Sequence, residues 1–215
     1  LTRSSAASDV YKRQEDNDNG VYGYKNDQAE NYITKMEHYW DEGFGYLYGL
    51  DSQFKPGLGN AAGGKDTANL NKYLSKINSQ ANEAGISQKI YDAFIAGRAA
   101  IVAKDYDERD KQAAIISAEI SKVIGYKAQS YLRDGAEDIT NEMWADAHHA
   151  LSEGYGFILG LQFTKNSDGN PYMTNAEVNA MLERLSAGNG FWDRTPEELN
   201  TMADEVAQAT GLTLP

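Results

Sequence analysis

One segment occurs twice, and it limits what this chain can fold into more than any other feature. His38–Leu50 (HYWDEGFGYLYGL) is matched 111 residues later by His149–Leu161 (HALSEGYGFILGL), and both read His-x-x-x-Glu-Gly-aromatic-Gly-aromatic-x-x-Gly-Leu. Self-similarity of this kind means one supersecondary unit used twice. Two related helices facing each other across a pseudo-twofold are therefore expected. At about 100° per residue, positions i, i+4, i+7 and i+11 share a narrow sector, so His38, Glu42, Gly45 and Gly49 lie on one face, as do His149, Glu153, Gly156 and Gly160. Each copy places three glycines inside a helix, and each costs about 1 kcal/mol relative to alanine. Close backbone approach at a small-x-x-x-small stripe is the natural reason. It would leave Trp40, Phe44 and Leu47, with their counterparts Leu151, Tyr155 and Ile158, packing outward.

The rest of the chain supports an all-α reading. From about Gln28 the apolar pattern is helical through the first motif. Leu70, Tyr73, Leu74 and Ile77 keep helical spacing within residues 67–84, with Gly85 as a stop. Ser87 opens another helix, carrying Ile90, Tyr91, Phe94, Ile95 and Ile101 on its apolar face, up to a break near Lys104-Asp105-Tyr106. A long helix over about 107–132 turns Ala114, Ile115, Ala118, Val123 and Ile124 inward. Asp138 or Thr140 caps the second motif helix. Thr174-x-x-Glu177 and Thr195-Pro196-Glu197-Glu198 are capping boxes, the latter with proline at the first helical position. No convincing strand is found, so the expected fold is a helical bundle of about seven helices.

Residues 1–27 read differently. LTRSSAASDVYKRQ lacks a starting methionine and resembles translated adapter read-through, and Glu15–Gly20 is turn-like, so 1–27 is assigned as a leader and disordered linker. The folded domain is then 28–215, with repeat halves 28–133 and 134–215. Residues 54–66 form a glycine-rich loop. Within it Gly59–Lys65 fits G-x-x-x-x-G-K, but Asp66 replaces the magnesium-binding hydroxyl and a helix precedes it, so the match is a chance one.

Charge and residue usage then exclude several functions. The net charge of −12 argues against nucleic acid and against an anionic membrane surface, and favours a metal or a cationic partner. The leader carries +2 of charge, so the remainder stands at −14. Without cysteine there are no disulfides, thiolate zinc sites, iron–sulfur clusters or thiol nucleophiles. No run approaches the roughly 18 apolar residues of a membrane span, and the sequence shows no signal peptide.

All three histidines lie in the two motif segments. If the glycine faces meet, His38, Glu42, His149 and Glu153 come together as two imidazoles and two carboxylates, a plausible shell for iron or another divalent metal. Glu37, Asp41, His148, Arg98 and Trp40 are the supporting groups. Arg98, a cation in an apolar helix, needs a carboxylate partner such as Glu42, Glu153 or a purely structural acid. The alternative is a pair of His/Glu bonds that only specify packing, since such residues one turn apart commonly bond each other. Hydrolytic motifs are absent: there is no His-Glu-x-x-His and no G-x-S-x-G elbow.

Four separated segments carry a family resemblance: Met36–Tyr46, Gly97–Ile101 with Lys104-Asp105-Tyr106, His149–Ile158, and Gly190-Phe191-Trp192. From about Tyr32 to the C-terminus the chain resembles the bacterial family called domain of unknown function 4856, with Gly43 and Gly154 where the family usually has alanine. The resemblance implies a helical periplasmic protein or outer-membrane lipoprotein about twice this length, with the first half missing here and an envelope protein as partner. In style the family is also similar to the imelysin-like proteins, which implies iron binding by analogy or, alternatively, a hydrolase using the same carboxylates. A third reading is a structural or interaction module that binds protein or glycan through its aromatic surface.

Overall fold

The computed structural model describes residues 13–20, 22–25, 32–48, 70–78 and 83–212, the side chains of 22–25 and 32 excepted. The protein is all-α, with eight α-helices among the described residues. Two units are formed, one from Leu1–Lys76 with Gly85–Ile116 and the other from Ile77–Ala84 with Ser117–Pro215. The near-match to a phosphate loop lies outside the described residues.

In the first unit a short helix over residues 13–18 (α1) precedes two antiparallel strands, Tyr22–Lys25 (β1) and Tyr32–Thr34 (β2). Their register pairs Tyr22 with Thr34 and Lys25 with Tyr32, with an irregularity between Tyr22 and Tyr24. Strands of four and three residues are too short to display a period of two, which is why the sequence pattern misses them. Next come Lys35–Tyr48 (α2), Leu70–Asn78 (α3, this unit ending at Lys76), Ile86–Ala103 (α4) and the start of Tyr106–Thr140 (α5). Asn17 lies within the segment 1–27. It is buried, donates to the Ile101 carbonyl at 3.1 Å and accepts from the Thr34 hydroxyl at 2.6 Å, so its amide is bonded on both sides within the fold.

Helix α2 starts where Thr34-x-x-Glu37 forms an unforeseen capping box. The Glu37 amide donates to Thr34 Oγ1 at 3.2 Å, and the Thr34 amide donates to Glu37 Oε2 at 2.6 Å. Gly85, expected as the stop of the helix over 67–84, precedes α4 with φ 95°. Lys104 ends α4 in the left-handed region at φ 61°, and Asp105 accepts from the Glu108 amide at 3.0 Å, which accounts for the expected break.

The second unit holds the remainder of α5 with Trp144–Gly160 (α6), Asn175–Ser186 (α7) and Pro196–Thr210 (α8). Its core joins Leu132, Leu151, Ile158, Val178, Leu199 and Met202, all essentially inaccessible. Both expected capping boxes form, at Thr174/Glu177 and at Thr195/Glu198. The expected cap of α6 by Asp138 or Thr140 does not: α5 runs on through both residues, and Met143 precedes α6 without a side-chain cap. Helix α5 is one continuous helix of 35 residues, and the division between the two units falls within it at 116/117.

Candidate functional site

Both motif copies are helical, on α2 in the first unit and on α6 in the second. Within each, the side chains four apart meet: His38 Nε2 lies 3.2 Å from Glu42 Oε1, and His149 Nε2 lies 3.3 Å from Glu153 Oε1. The near-equal geometry follows from the shared i,i+4 spacing. Surroundings separate the copies. His149 is the more open imidazole, with 72% of its side chain accessible against 21% for His38.

Around the first pair, the supporting residues have their own tasks. Arg98 on α4 donates from Nη1 to Glu37 Oε1 at 2.7 Å and from Nε to Asp41 Oδ1 at 2.8 Å. Of the expected alternatives, Glu42, Glu153 or a structural acid, the structure gives the last: its carboxylate partners are Glu37 and Asp41. Burial pushes the Glu37 carboxyl up, but the Thr34 amide and the Arg98 charge outweigh it and hold the group below the ordinary carboxylate range. Trp40 is a packing residue. Its Nε1 donates to the Phe94 carbonyl at 2.8 Å, and its indole occupies the space that a Cβ on Gly97 would need. Leu47, Leu151 and Ile158, expected to pack outward, are buried.

The close neighbours of the motif glycines belong to α4 and α5. A Cβ on Gly154 would meet Tyr131 Cβ at 3.1 Å, one on Gly160 would meet Ile124 at 3.3 Å, and one on Gly43 only Phe94 at 3.8 Å. Gly45 and Gly156 have nothing within 4 Å, so close approach does not explain them. At Gly154 it has a consequence. The backbone of α6 lies against Tyr131 on α5, and the Tyr131 hydroxyl donates to Glu153 Oε2 while Oε1 faces His149. Tyr131 also stacks on Phe157 at 5.6 Å between ring centroids, and Lys127 Nζ lies 4.1 Å from its ring centre. Twenty-two residues separate Tyr131 from Glu153, so only packing between α5 and α6 brings them together.

His148 joins an aromatic group. Its ring centroid is 4.1 Å from that of Trp192 and 6.2 Å from that of Phe191, and Trp192 stacks on Trp144 at 6.2 Å. Nδ1 is 2.7 Å from the Trp144 carbonyl, which fixes the proton on Nδ1 because the carbonyl only accepts. Trp192 remains 64% exposed. The Gly190-Phe191-Trp192 segment is visible in the sequence, but its stacking on α6 is not.

Two donors about 3.2 Å apart subtend about 100° at an ion bonded to each at about 2.1 Å, so each His/Glu pair fits as two adjacent ligands of one metal. Among the described residues no group of three or more His, Cys, Asp and Glu side chains is assembled to hold a metal, and the two pairs belong to different units. Among those residues, too, no helix is long and apolar enough to cross a membrane.

Comparison with curated proteins and with solved structures yields no match. Residues 4–213 match the family described as a domain of unknown function, DUF4856. Since that match takes in both motif helices and the Gly-Phe-Trp segment that stacks on the second, the chain belongs to the DUF4856 family.

Proposed function

We propose that this is a non-catalytic, metal-associated binding protein of the bacterial envelope, in which each His/Glu pair supplies two ligands to an iron-type ion. The observation that carries the reading is the repeated donor geometry, 3.2 Å at His38/Glu42 and 3.3 Å at His149/Glu153, on partly accessible helix faces. The acidic balance of the chain favours uptake of a cation. Calorimetric titration with iron(II), manganese(II) and zinc(II) tests it. Saturable binding is expected, reduced by His38→Ala or His149→Ala alone and abolished by the double variant. A folded protein that takes up no metal would leave the pairs a packing role only.

A second reading rests on α6. Trp144, His148, Tyr155 and Leu159 fall within about 60° of one another on the helical wheel. Trp144, Tyr155 and Leu159 are exposed. On α2 the counterparts of His148, Tyr155 and Leu159 are Glu37, Phe44 and Tyr48, and these pack against Arg98, Tyr91 and Phe94 of α4. By that precedent the α6 face accepts an amphipathic helix of a protein partner, through apolar contacts in place of the Arg98 ion pairs. A photo-crosslinking side chain at position 159 is expected to capture a segment with helical amphipathic periodicity; capture of extended or glycan material would rule this out.

A further inference from the structure

Two groups of different kinds converge on Glu153, which makes a cluster of three. One carboxylate oxygen accepts from the Tyr131 hydroxyl, the other lies 3.3 Å from His149 Nε2, and the phenol, carboxylate and imidazole all belong to the second unit. The geometry points to a site for ferric iron in the second unit, with Tyr131, Glu153 and His149 as its ligands and the phenolate oxygen of Tyr131 as the group that selects the trivalent ion. This rests on the metal reading given above and adds to it a third ligand, an oxidation state and a difference between the two copies of the motif.

The argument is one of donor chemistry. Two anionic oxygens and one imidazole nitrogen make a hard set, which matches a small trivalent ion better than a soft or weakly charged one. Tyr131 is buried, and stacking on Phe157 holds its ring, so the hydroxyl is already aimed at the carboxylate before any ion arrives. Gly154 makes the placement feasible, because a side chain there would press on Tyr131 Cβ. The Lys127 ammonium over the ring favours negative charge on the phenol oxygen. On binding, the proton of the Tyr131–Glu153 hydrogen bond passes to solvent. The phenolate and both neighbouring donors then turn their lone pairs to the metal, with His149 protonated at Nδ1. No electron is transferred. The exposed side of His149 leaves the remaining coordination positions open to water or to an incoming ligand.

The test is titration of the intact protein with ferric nitrilotriacetate, followed by visible absorption and by iron content after desalting. One retained iron per chain with a phenolate-to-iron charge-transfer band is expected. Tyr131→Phe, which keeps the ring and its stacking, should abolish the band and weaken iron retention by roughly ten- to a hundredfold, the scale on which loss of even an outer partner acts at a metal. Tyr155→Phe should keep both. Circular dichroism establishes that each variant is folded. Iron retained without the band, or a band that survives in Tyr131→Phe, overturns this inference while leaving the paired His/Glu reading in place. Absence of binding for ferric, ferrous and zinc ions alike removes both.

Discussion

Arg98 carries a charge on a helix whose neighbouring turns are buried, and it ties α4 to α2 through two carboxylates one turn apart. Arg98→Ala should cost about 1.5–3 kcal/mol, the range for hydrogen bonds to charged groups, as read from urea denaturation. Glu37 belongs to both this link and the cap of α2, and its carboxyl is held below the ordinary value. A depressed carboxyl contributes stability that is complete above its unfolded pKa and is lost as pH falls through its folded one. The midpoint should therefore drop as pH falls below the ordinary carboxylate value of 4.5. Glu37→Gln should flatten that part of the profile, and an unchanged profile would remove Glu37 from the account. In the second unit Tyr126 donates to Glu83 at 3.0 Å, and burial together with that carboxylate pushes its phenol up to about 12. Here the sign is opposite: the contribution is present below the ordinary tyrosine value and is lost as pH rises from about 10 toward 12. Tyr126→Phe should lessen this alkaline loss in a denaturation series.

At the scale of the helix, glycine has two distinct uses. Gly97 accepts the Trp40 indole, and a Cβ on Gly135 would lie 2.6 Å from Leu151 Cδ2, so alanine at either position should destabilise by about 1–3 kcal/mol through overpacking. Gly45 and Gly156 have open space, and alanine there should stabilise by about 1 kcal/mol, since only helix propensity changes. Thermal denaturation of the four variants separates the groups; a loss at Gly156 would mean that an unseen neighbour occupies that face. These contrasts come from the contacts of α2 with α4 and of α5 with α6. The motif spacing placed Gly45 and Gly156 on helices, but it covers neither Gly97 nor Gly135 and gave no sign of which glycines another helix touches.

For the whole molecule, a net charge of −12 gives repulsion that acts over about a Debye length, whereas the ion pairs at Arg98, Lys122, Arg133 and Arg184 act at 2.7–3.3 Å. Raising salt from a few millimolar to about 0.15 M should therefore raise the melting temperature, because long-range repulsion is screened first. A fall in calorimetric melting temperature would show that the close pairs dominate.

What the sequence determined by itself is local. The 3.6-residue periodicity specified helices, Thr174/Glu177 and Thr195/Glu198 specified two of their starts, and the i,i+4 spacing specified that His38 meets Glu42 and His149 meets Glu153. All of these are set within one or two turns of chain, where neighbours along the sequence are neighbours in space. Tertiary structure decided the partners across elements: Arg98 with Glu37 and Asp41, Trp40 in the space left by Gly97, Trp192 on His148, and Tyr131 on Glu153. Those pairs lie 22 to 61 residues apart along the chain, and each is selected by how helices dock, which no local period encodes.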